Sequence, residues 1–213
     1  MKTYTLKVTC PLCGAKFKGE VLSDYEIDGY DYDFMPLFKD GPKLLDYYIW
    51  FCPECHFTGY DNRFTFEKNK AVIPDEIRET LATIPKLSVS LSYKFYRAGV
   101  IAEIFGESDV SLLDYFMKAY WAAKRDRSPV EKEEAALMVM EIADKIIRKG
   151  DPDDNEHQFI ALYLSGLISM ERGQNDEAAF FFSKLVSMKM LPATYKKHVS
   201  FATAFLREQH RDG

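Results

Sequence analysis

The sequence predicts an α+β fold in which short antiparallel strands come first and an all-α helical array follows. About the first 70 residues are rich in Tyr, Phe, Gly and Asp, which is typical of short strands joined by turns. From Pro74 onward the apolar residues recur at helical spacing. All four cysteines lie in the first segment. We therefore predict two domains, residues 1–73 and residues 74–213.

Two strands are predicted in the first domain, Thr3–Val8 and Tyr47–Cys52, because β-branched and aromatic residues lead into each pair of cysteines. Between these strands lies an acidic and aromatic segment, residues 24–33, followed by Phe-Met-Pro. Its five carboxylates would be costly to bury. We expect a solvated loop there, and a docking surface for a basic partner is the alternative.

The predicted helical domain begins with a short helix after Pro74. Ser128-Pro129-Val130-Glu131 is a capping box with proline at the first helical position. That helix ends at Arg148-Lys149-Gly150, where cations meet the negative helix end and glycine permits a left-handed cap. Further helices are predicted over about 89–105, 109–126, 154–172, 175–189 and 192–210. The apolar face of the helix after Ser128 consists of Ala136, Val139, Met140, Ala143, Ile146 and Ile147.

The helical domain contains an internal repeat. Gly99 and Gly106 precede Gly166 and Gly173 by 67 residues each. Tetratricopeptide repeats have small residues and one aromatic residue at fixed positions, which the second copy fills with its two glycines, Ala178 and Phe182. In the first copy, Ser111 takes the position of Ala178 and Tyr115 that of Phe182. Because small residues allow close helix approach, the pattern predicts tetratricopeptide-like packing. An unrelated helical bundle is the alternative, since Phe95 and Leu162 replace the signature tryptophan.

The cysteines form two Cys-Pro-x-Cys knuckles, Cys10 to Cys13 and Cys52 to Cys55. Each such knuckle points two thiolates at one ion. Two knuckles together therefore supply the four tetrahedral ligands of a structural zinc site. The residue after each knuckle often adopts positive φ, which suits Gly14 better than His56. A site closed by thiolates leaves no coordination position for water or substrate.

Other interpretations of the knuckles are weaker. Iron is the serious alternative, because rubredoxins also use two Cys-x-x-Cys knuckles. Covalent haem attachment at Cys52–His56 would leave the first knuckle unexplained, and a thioredoxin-like pair lacks its βαβ context. A set of inert buried thiols would not explain why the Cys-Pro-x-Cys motif occurs twice. His56 is expected at the surface beside the site, and His157, His198 and His210 on solvated helix faces.

Composition excludes several classes of partner. The net charge of −5 and the lack of a basic segment argue against nucleic acid and anionic membrane surfaces as partners. The N-terminus shows no secretory signal, and no apolar run reaches the roughly 20 residues that span a bilayer. A cytoplasmic location is therefore expected, where paired cysteines more often bind metal than form disulfides. No catalytic motif is recognisable, which favours a non-enzymatic role and leaves catalysis as an open alternative.

The order of these motifs resembles domain-of-unknown-function family 2225, found in bacteria. The resemblance rests on the first knuckle with its following Phe17, the acidic-aromatic segment, Pro36, Pro42 and the stretch CPECHFTGYDNRF. It covers most of the chain and is most specific over residues 8–66. The resemblance implies a zinc-ribbon-like head, a tetratricopeptide-like tail and the metal ligands Cys10, Cys13, Cys52 and Cys55. His56 stands where the family usually has glycine, and the family has no assigned activity.

Two functions are compatible with the sequence. The first is a protein-interaction adaptor, in which the ribbon is structural and stacked helix pairs present a concave groove to a protein partner. Aromatic side chains anchor such partners, and the candidates are Tyr93, Tyr96, Tyr120 and Trp121, with core packing as the alternative for at least half of them. The second function is a rubredoxin-like iron module for electron transfer, carried on a helical adaptor.

Overall fold

Antiparallel strand pairs come first in the chain and helices follow, which confirms the predicted α+β class. The structure is a computed structural model that describes residues 2–39, 42–65, 75–83, 90–150, 155–188 and 193–212. Tetratricopeptide-like packing stays a prediction. Within the described residues, no helix is both long and apolar enough to cross a membrane.

The strands form three antiparallel pairs among the described residues: β1 (Lys2–Thr9) with β2 (Lys16–Asp24), β3 (Ile27–Tyr30) with β4 (Pro36–Phe38), and β5 (Trp50–Phe51) with β6 (Thr58–Gly59). The predicted first strand matches β1, whereas the predicted second strand shrinks to β5. A 3-10 helix, Pro42–Tyr47, precedes it and includes Tyr47, the first residue of the predicted strand. In that 3-10 helix the consecutive residues Leu44 and Leu45 are both buried, which a helical turn allows and an alternating strand does not.

The acidic-aromatic segment is not a loop, because it forms the hairpin of β3 and β4. The backbone N–H of Asp31 donates to the carbonyl of Met35 at 2.8 Å across the turn, and Phe34 adopts φ 62°. The prediction of a solvated loop was therefore wrong about the backbone. Of the five carboxylates, Asp33 is buried, and the other four keep contact with solvent.

Apart from α1, which was not predicted, the helices match the predicted ones with small shifts at their ends. They are α1 (Asn62–Thr65), α2 (Asp75–Thr83), α3 (Leu91–Ile104), α4 (Asp109–Arg125), α5 (Pro129–Lys149), α6 (Asn155–Glu171), α7 (Asn175–Val186) and α8 (Lys196–Asp212). A short 3-10 turn, Ala193–Tyr195, precedes α8. The predicted apolar face of α5 buries Ala136, Val139, Ala143 and Ile146, while Met140 and Ile147 are half-buried.

The predicted capping box at α5 forms differently. The backbone N–H of Ser128 donates to the carbonyl of Ala123 at 3.0 Å, because Arg127 turns the chain with φ 55°. Glu131 does not need to cap that N–H, and its carboxylate instead accepts a bond from the hydroxyl of Ser90 at 2.8 Å. Glu131 therefore ties the start of α5 to the start of α3.

The chain divides into two compact units. The first unit comprises Met1–Asp31 and Met35–Ala135, and the second comprises Tyr32–Phe34 and Ala136–Gly213. The predicted domain boundary after residue 73 falls in the range 66–74, outside the described residues, and stays a prediction. Within the first unit, the ribbon shares one hydrophobic cluster with α2 and α3 through Ile77, Leu81 and Ile101.

Each unit contains a helix pair in which a glycine lies under an aromatic ring. A Cβ on Gly99 of α3 would lie 2.8 Å from the ring of Phe116, and a Cβ on Gly166 of α6 would lie 2.6 Å from that of Phe182. The aromatic predicted for the first copy was Tyr115, which is wrong by one residue. The turn between α3 and α4 is one residue longer than that between α6 and α7, so the aromatic in contact moves to Phe116.

Candidate functional site

The two cysteine knuckles have the same backbone hydrogen bonds. In the first, the N–H of Cys10 donates to the carbonyl of Ala15 at 2.8 Å, and that of Gly14 to the carbonyl of Cys10 at 2.9 Å. The second repeats this pattern from Cys52 to Phe57 at 2.9 Å and from His56 to Cys52 at 3.0 Å. The residue after each knuckle has positive φ, 75° at Gly14 and 62° at His56, as the sequence predicted.

The knuckles bring four sulfur atoms together at the spacing of a metal site. The Sγ atoms of Cys10 and Cys55 are 3.5 Å apart, those of Cys13 and Cys52 are 3.6 Å apart, and all four lie within 4.8 Å of one another. A zinc tetrahedron with Zn–S bonds of about 2.3 Å has S···S edges of about 3.8 Å. A disulfide would require about 2.05 Å, and all four cysteines are free. The thiols therefore fit one tetrahedral metal ion.

The environment of the thiols differs between positions. Burial raises the pKa of the Cys10 thiol to about 11 and also raises that of Cys55. At Cys13, burial acts in the same direction, but the backbone N–H of Ala15 and the neighbouring thiols outweigh it and lower the pKa. Because a metal binds thiolates, its binding must release the protons of Cys10 and Cys55.

The histidines lie outside the sulfur cluster. His56 is half-buried, with its ring centroid 4.8 Å from that of Phe51, so it is less exposed than expected. His198 was expected on a solvated face, but it is only 4% exposed and stacks on Phe34 at 4.2 Å. The reason is that the tip of the β3–β4 hairpin belongs to the second unit. His157 is half-buried, and the side chain of His210 lies outside the described residues.

Comparison with known families bears on the same region. Residues 3–105 match the model of DUF2225, described as "Uncharacterized protein conserved in bacteria". This confirms the resemblance to that family over residues 3–105. The match covers the ribbon, α2, α3 and both knuckles, and it ends before α4. No curated protein and no solved structure gives a significant match to the chain.

The DUF2225 region also contributes one side of a polar cleft in the first unit, which the sequence did not predict. The cleft has a volume of about 650 Å³ and is lined by Tyr60, Asn62, Arg63, Glu107, Val110, Ser111, Asp114 and Tyr115. The first three come from the segment after the second knuckle, and the others come from the α3–α4 turn and α4. Tyr60 to Arg63 stand within the stretch GYDNRF that carries the resemblance, which is the signal that could have indicated them.

Hydrogen bonds and ion pairs order this cleft. The Tyr60 hydroxyl donates to Oδ2 of Asp114 at 2.5 Å, and Lys118 pairs with the other oxygen of that carboxylate. Arg63 pairs with Glu107. The rings of Tyr60 and Tyr115 stack with centroids 4.4 Å apart. Burial, with the adjacent Asp114 charge, raises the pKa of Tyr60 far above its ordinary value, so this phenol keeps its proton.

The aromatic residues predicted to bind a partner lie on α3 and α4. Tyr120 and Trp121 are buried, with 1% and 7% of their surface exposed, so they have little surface to offer a partner. Tyr93 and Tyr96 are half-buried, with ring centroids 6.4 Å apart. Their role in binding stays a prediction.

Proposed function

We propose that Cys10, Cys13, Cys52 and Cys55 hold one zinc ion whose role is to stabilise the ribbon. The observation that carries this proposal is the convergence of four free thiols within 4.8 Å on two matched knuckles. Four protein ligands fill a tetrahedral site, so the ion has no position for a substrate. Zinc supports the fold here by fixing two turns that are distant in sequence.

Metal analysis of the purified protein tests this proposal. We expect one equivalent of zinc per chain and a colourless protein. A red protein with one equivalent of iron would instead support the rubredoxin-like alternative, because iron and zinc both accept four thiolates. Protein that is prepared with reduced cysteines and binds neither metal would contradict both.

We further propose that the protein acts as an adaptor that binds a protein partner, and that the polar cleft receives a segment of it. The cleft volume lies in the range of ordinary ligand sites. Its cations and carboxylates are matched, Arg63 with Glu107 and Lys118 with Asp114. A balanced cleft favours an uncharged polar segment, whose backbone groups can bond to Asn62 and Ser111.

Binding is favoured over catalysis by the way these groups are paired. A general base needs a group that can exchange its proton near neutral pH. The Asp114 carboxylate already accepts bonds from Tyr60 and Lys118, and Tyr60 retains its proton. The pairs therefore give the cleft a fixed shape and fixed charge, which suits recognition.

Affinity capture with a cleft-filling variant tests the adaptor role. Ser111→Trp places an indole in the cleft, whereas Ser183→Trp places one on the exposed surface of α7. We expect wild type and Ser183→Trp to recover the same protein partner, and Ser111→Trp to lose it. Equal recovery by all three would contradict the cleft as the binding site.

A further inference from the structure

The first unit buries a cation, Arg97 on α3. Only 3% of its surface is exposed, and its Nε has no hydrogen-bond partner among the residues that the structure describes. Burial lowers the pKa of this guanidinium, as expected for a charge removed from water. Burying a charge costs several kcal/mol unless neighbouring groups compensate it. A nearby anion would offset the cost of burying the Arg97 guanidinium, whose Nε is an unsatisfied donor within the described residues.

A second cation accompanies Arg97 beside the second knuckle. Lys94 lies on the same side of α3, and it is half-buried. Its Nζ is 5.6 Å from the ring centroid of Phe51, and the Cζ of Arg97 is 5.9 Å from the same centroid. Phe51 directly precedes Cys52 in the chain. Both charges therefore flank the residue that leads into a metal ligand.

The face of α3 that carries Arg97 is turned toward the ribbon. Ile101 follows Arg97 by one helical turn, so the two side chains share a face of the helix. Ile101 is part of the hydrophobic cluster that contains Cys10 and Cys52. Arg97 thus lies on the same helix face as a residue that packs with the thiols, in a buried region where charges interact more strongly than in water.

We propose that Arg97, assisted by Lys94, is the electrostatic counterpart of the metal–thiolate centre. This inference rests on the proposed metal centre. Four thiolates around one divalent ion carry a net charge of −2, and that charge is buried with Cys10 and Cys52. The backbone N–H groups of the knuckles offset part of it. Arg97 acts through the ligands, so it is a positioning residue that raises metal affinity.

Zinc affinity of the full-length protein, measured by competition with a chromophoric chelator, tests the proposal. Arg97→Met keeps an unbranched stem and removes the charge, and we expect about 10–100-fold weaker zinc binding, the usual cost of losing a supporting group. Arg97→Lys retains a positive charge and should restore most of the affinity. Lys94→Met should cause a smaller loss.

The control is Arg125→Met, which removes a cation of the same unit that is already paired with Asp46 and Asp126. Its zinc affinity should equal that of wild type. A second readout is the reduction potential of iron-loaded protein. It should fall in Arg97→Met and stay near wild type in Arg97→Lys, because a positive charge favours the reduced centre.

Wild-type affinity in Arg97→Met would overturn the proposal and leave the metal centre intact. If Arg97→Met does not fold, unchanged affinity in Lys94→Met overturns it instead. An equal loss in Arg97→Lys and Arg97→Met would also overturn it, because the effect would then follow the shape of the side chain and not its charge. Failure of wild type to bind any metal would remove the metal centre itself.

Discussion

The two compact units use the same contact to join a helix pair. In the first unit, the Phe116 ring of α4 lies on Gly99 of α3, and in the second, the Phe182 ring of α7 lies on Gly166 of α6. The two turns close with the same hydrogen bonds. The N–H of Glu107 donates to the carbonyl of Ala102 at 3.0 Å, and that of Gln174 donates to the carbonyl of Ser169 at 2.9 Å.

The units differ in what completes their cores. The first adds a ribbon cluster in which the thiols of Cys10 and Cys52 are buried beside Trp50 and Phe57. The second adds aromatic rings around Tyr163, including the inserted Phe34. A helix pair alone buries too little apolar surface to be stable. The comparison therefore indicates that a cluster with converging thiols, the proposed metal site, complements one pair and an aromatic cluster complements the other.

Loss of the metal should produce the largest difference between the two units in their stability. Cys52→Ser removes a ligand, and metal binding in small zinc peptides contributes on the order of 10–16 kcal/mol to folding. We expect the ribbon to unfold and to expose Ile77 and Leu81, while α6–α8 keep their helical circular dichroism. Limited proteolysis should cut the first unit and spare the second. Thr9→Ser is the control, and a ribbon that resists protease without metal would contradict the comparison.

A methyl group under the aromatic ring should disturb either helix pair. In Gly166→Ala, the new Cβ would lie 2.6 Å from Cε1 of Phe182, a ring with no exposed surface. Overpacking of this kind lowers the free energy of unfolding by about 1–3 kcal/mol. Gly99→Ala should behave alike against Phe116, at 2.8 Å. Thermal or urea unfolding measures both effects.

A double-mutant cycle isolates this contact from general effects of glycine. Substitution of Gly173 should also be costly, but for a different reason. Its φ is 75°, which disfavours other residues, whereas a Cβ there would meet no atom within 4 Å. Phe182→Leu should therefore offset part of the cost of Gly166→Ala and none of the cost of Gly173→Ala. If the losses of unfolding free energy add up in both double mutants, Phe182→Leu with Gly166→Ala and Phe182→Leu with Gly173→Ala, the ring does not press on Gly166.

The aromatic side chain of Phe34 should contribute to the stability of the second unit only. Phe34 stacks on His198 at 4.2 Å and meets Tyr163 edge-on at 5.2 Å. Because Phe34 is half-buried, Phe34→Ala should cost the second unit about 2 kcal/mol, less than a fully buried phenylalanine. Tyr30→Ala, at an exposed position of β3, is the control and should change stability by less than about 0.5 kcal/mol. Equal effects would contradict the insertion.

Local chemistry made much of the fold predictable. The two Cys-Pro-x-Cys motifs indicated the four clustered thiols. The helical spacing of apolar residues, with the capping residues, indicated the helices from α3 to α8. Both signals depend on residues close in sequence. The β3–β4 hairpin was missed because its exposed residues lack alternation, and its turn is held partly by contacts of Phe34 with residues near 195.

The polar cleft and Arg97 could not be predicted for a related reason. Tyr60 meets Asp114 across 54 residues, and the side chains that line the cleft come from segments on both sides of α2 and α3. Arg97 is an ordinary helix residue in the sequence, and only tertiary packing buries it. Long-range pairing of charged groups leaves no pattern in a single sequence.

The smallest expected effect compares the two knuckles directly. His56→Gly gives the second knuckle the residue of the first, at a position with φ 62°. Glycine relieves the left-handed strain of about 1 kcal/mol, but it loses the ring contact with Phe51 and adds freedom to the unfolded chain. We therefore expect the free energy of unfolding to change by less than about 1 kcal/mol. One zinc should remain bound, because the sulfur cluster does not include the imidazole. Zinc stoichiometry and thermal unfolding of His56→Gly beside wild type measure both quantities, with Gly14→Ala as the reverse comparison. Loss of zinc in His56→Gly alone would show that the imidazole takes part in holding the metal, and the four-thiolate set would then have to be revised.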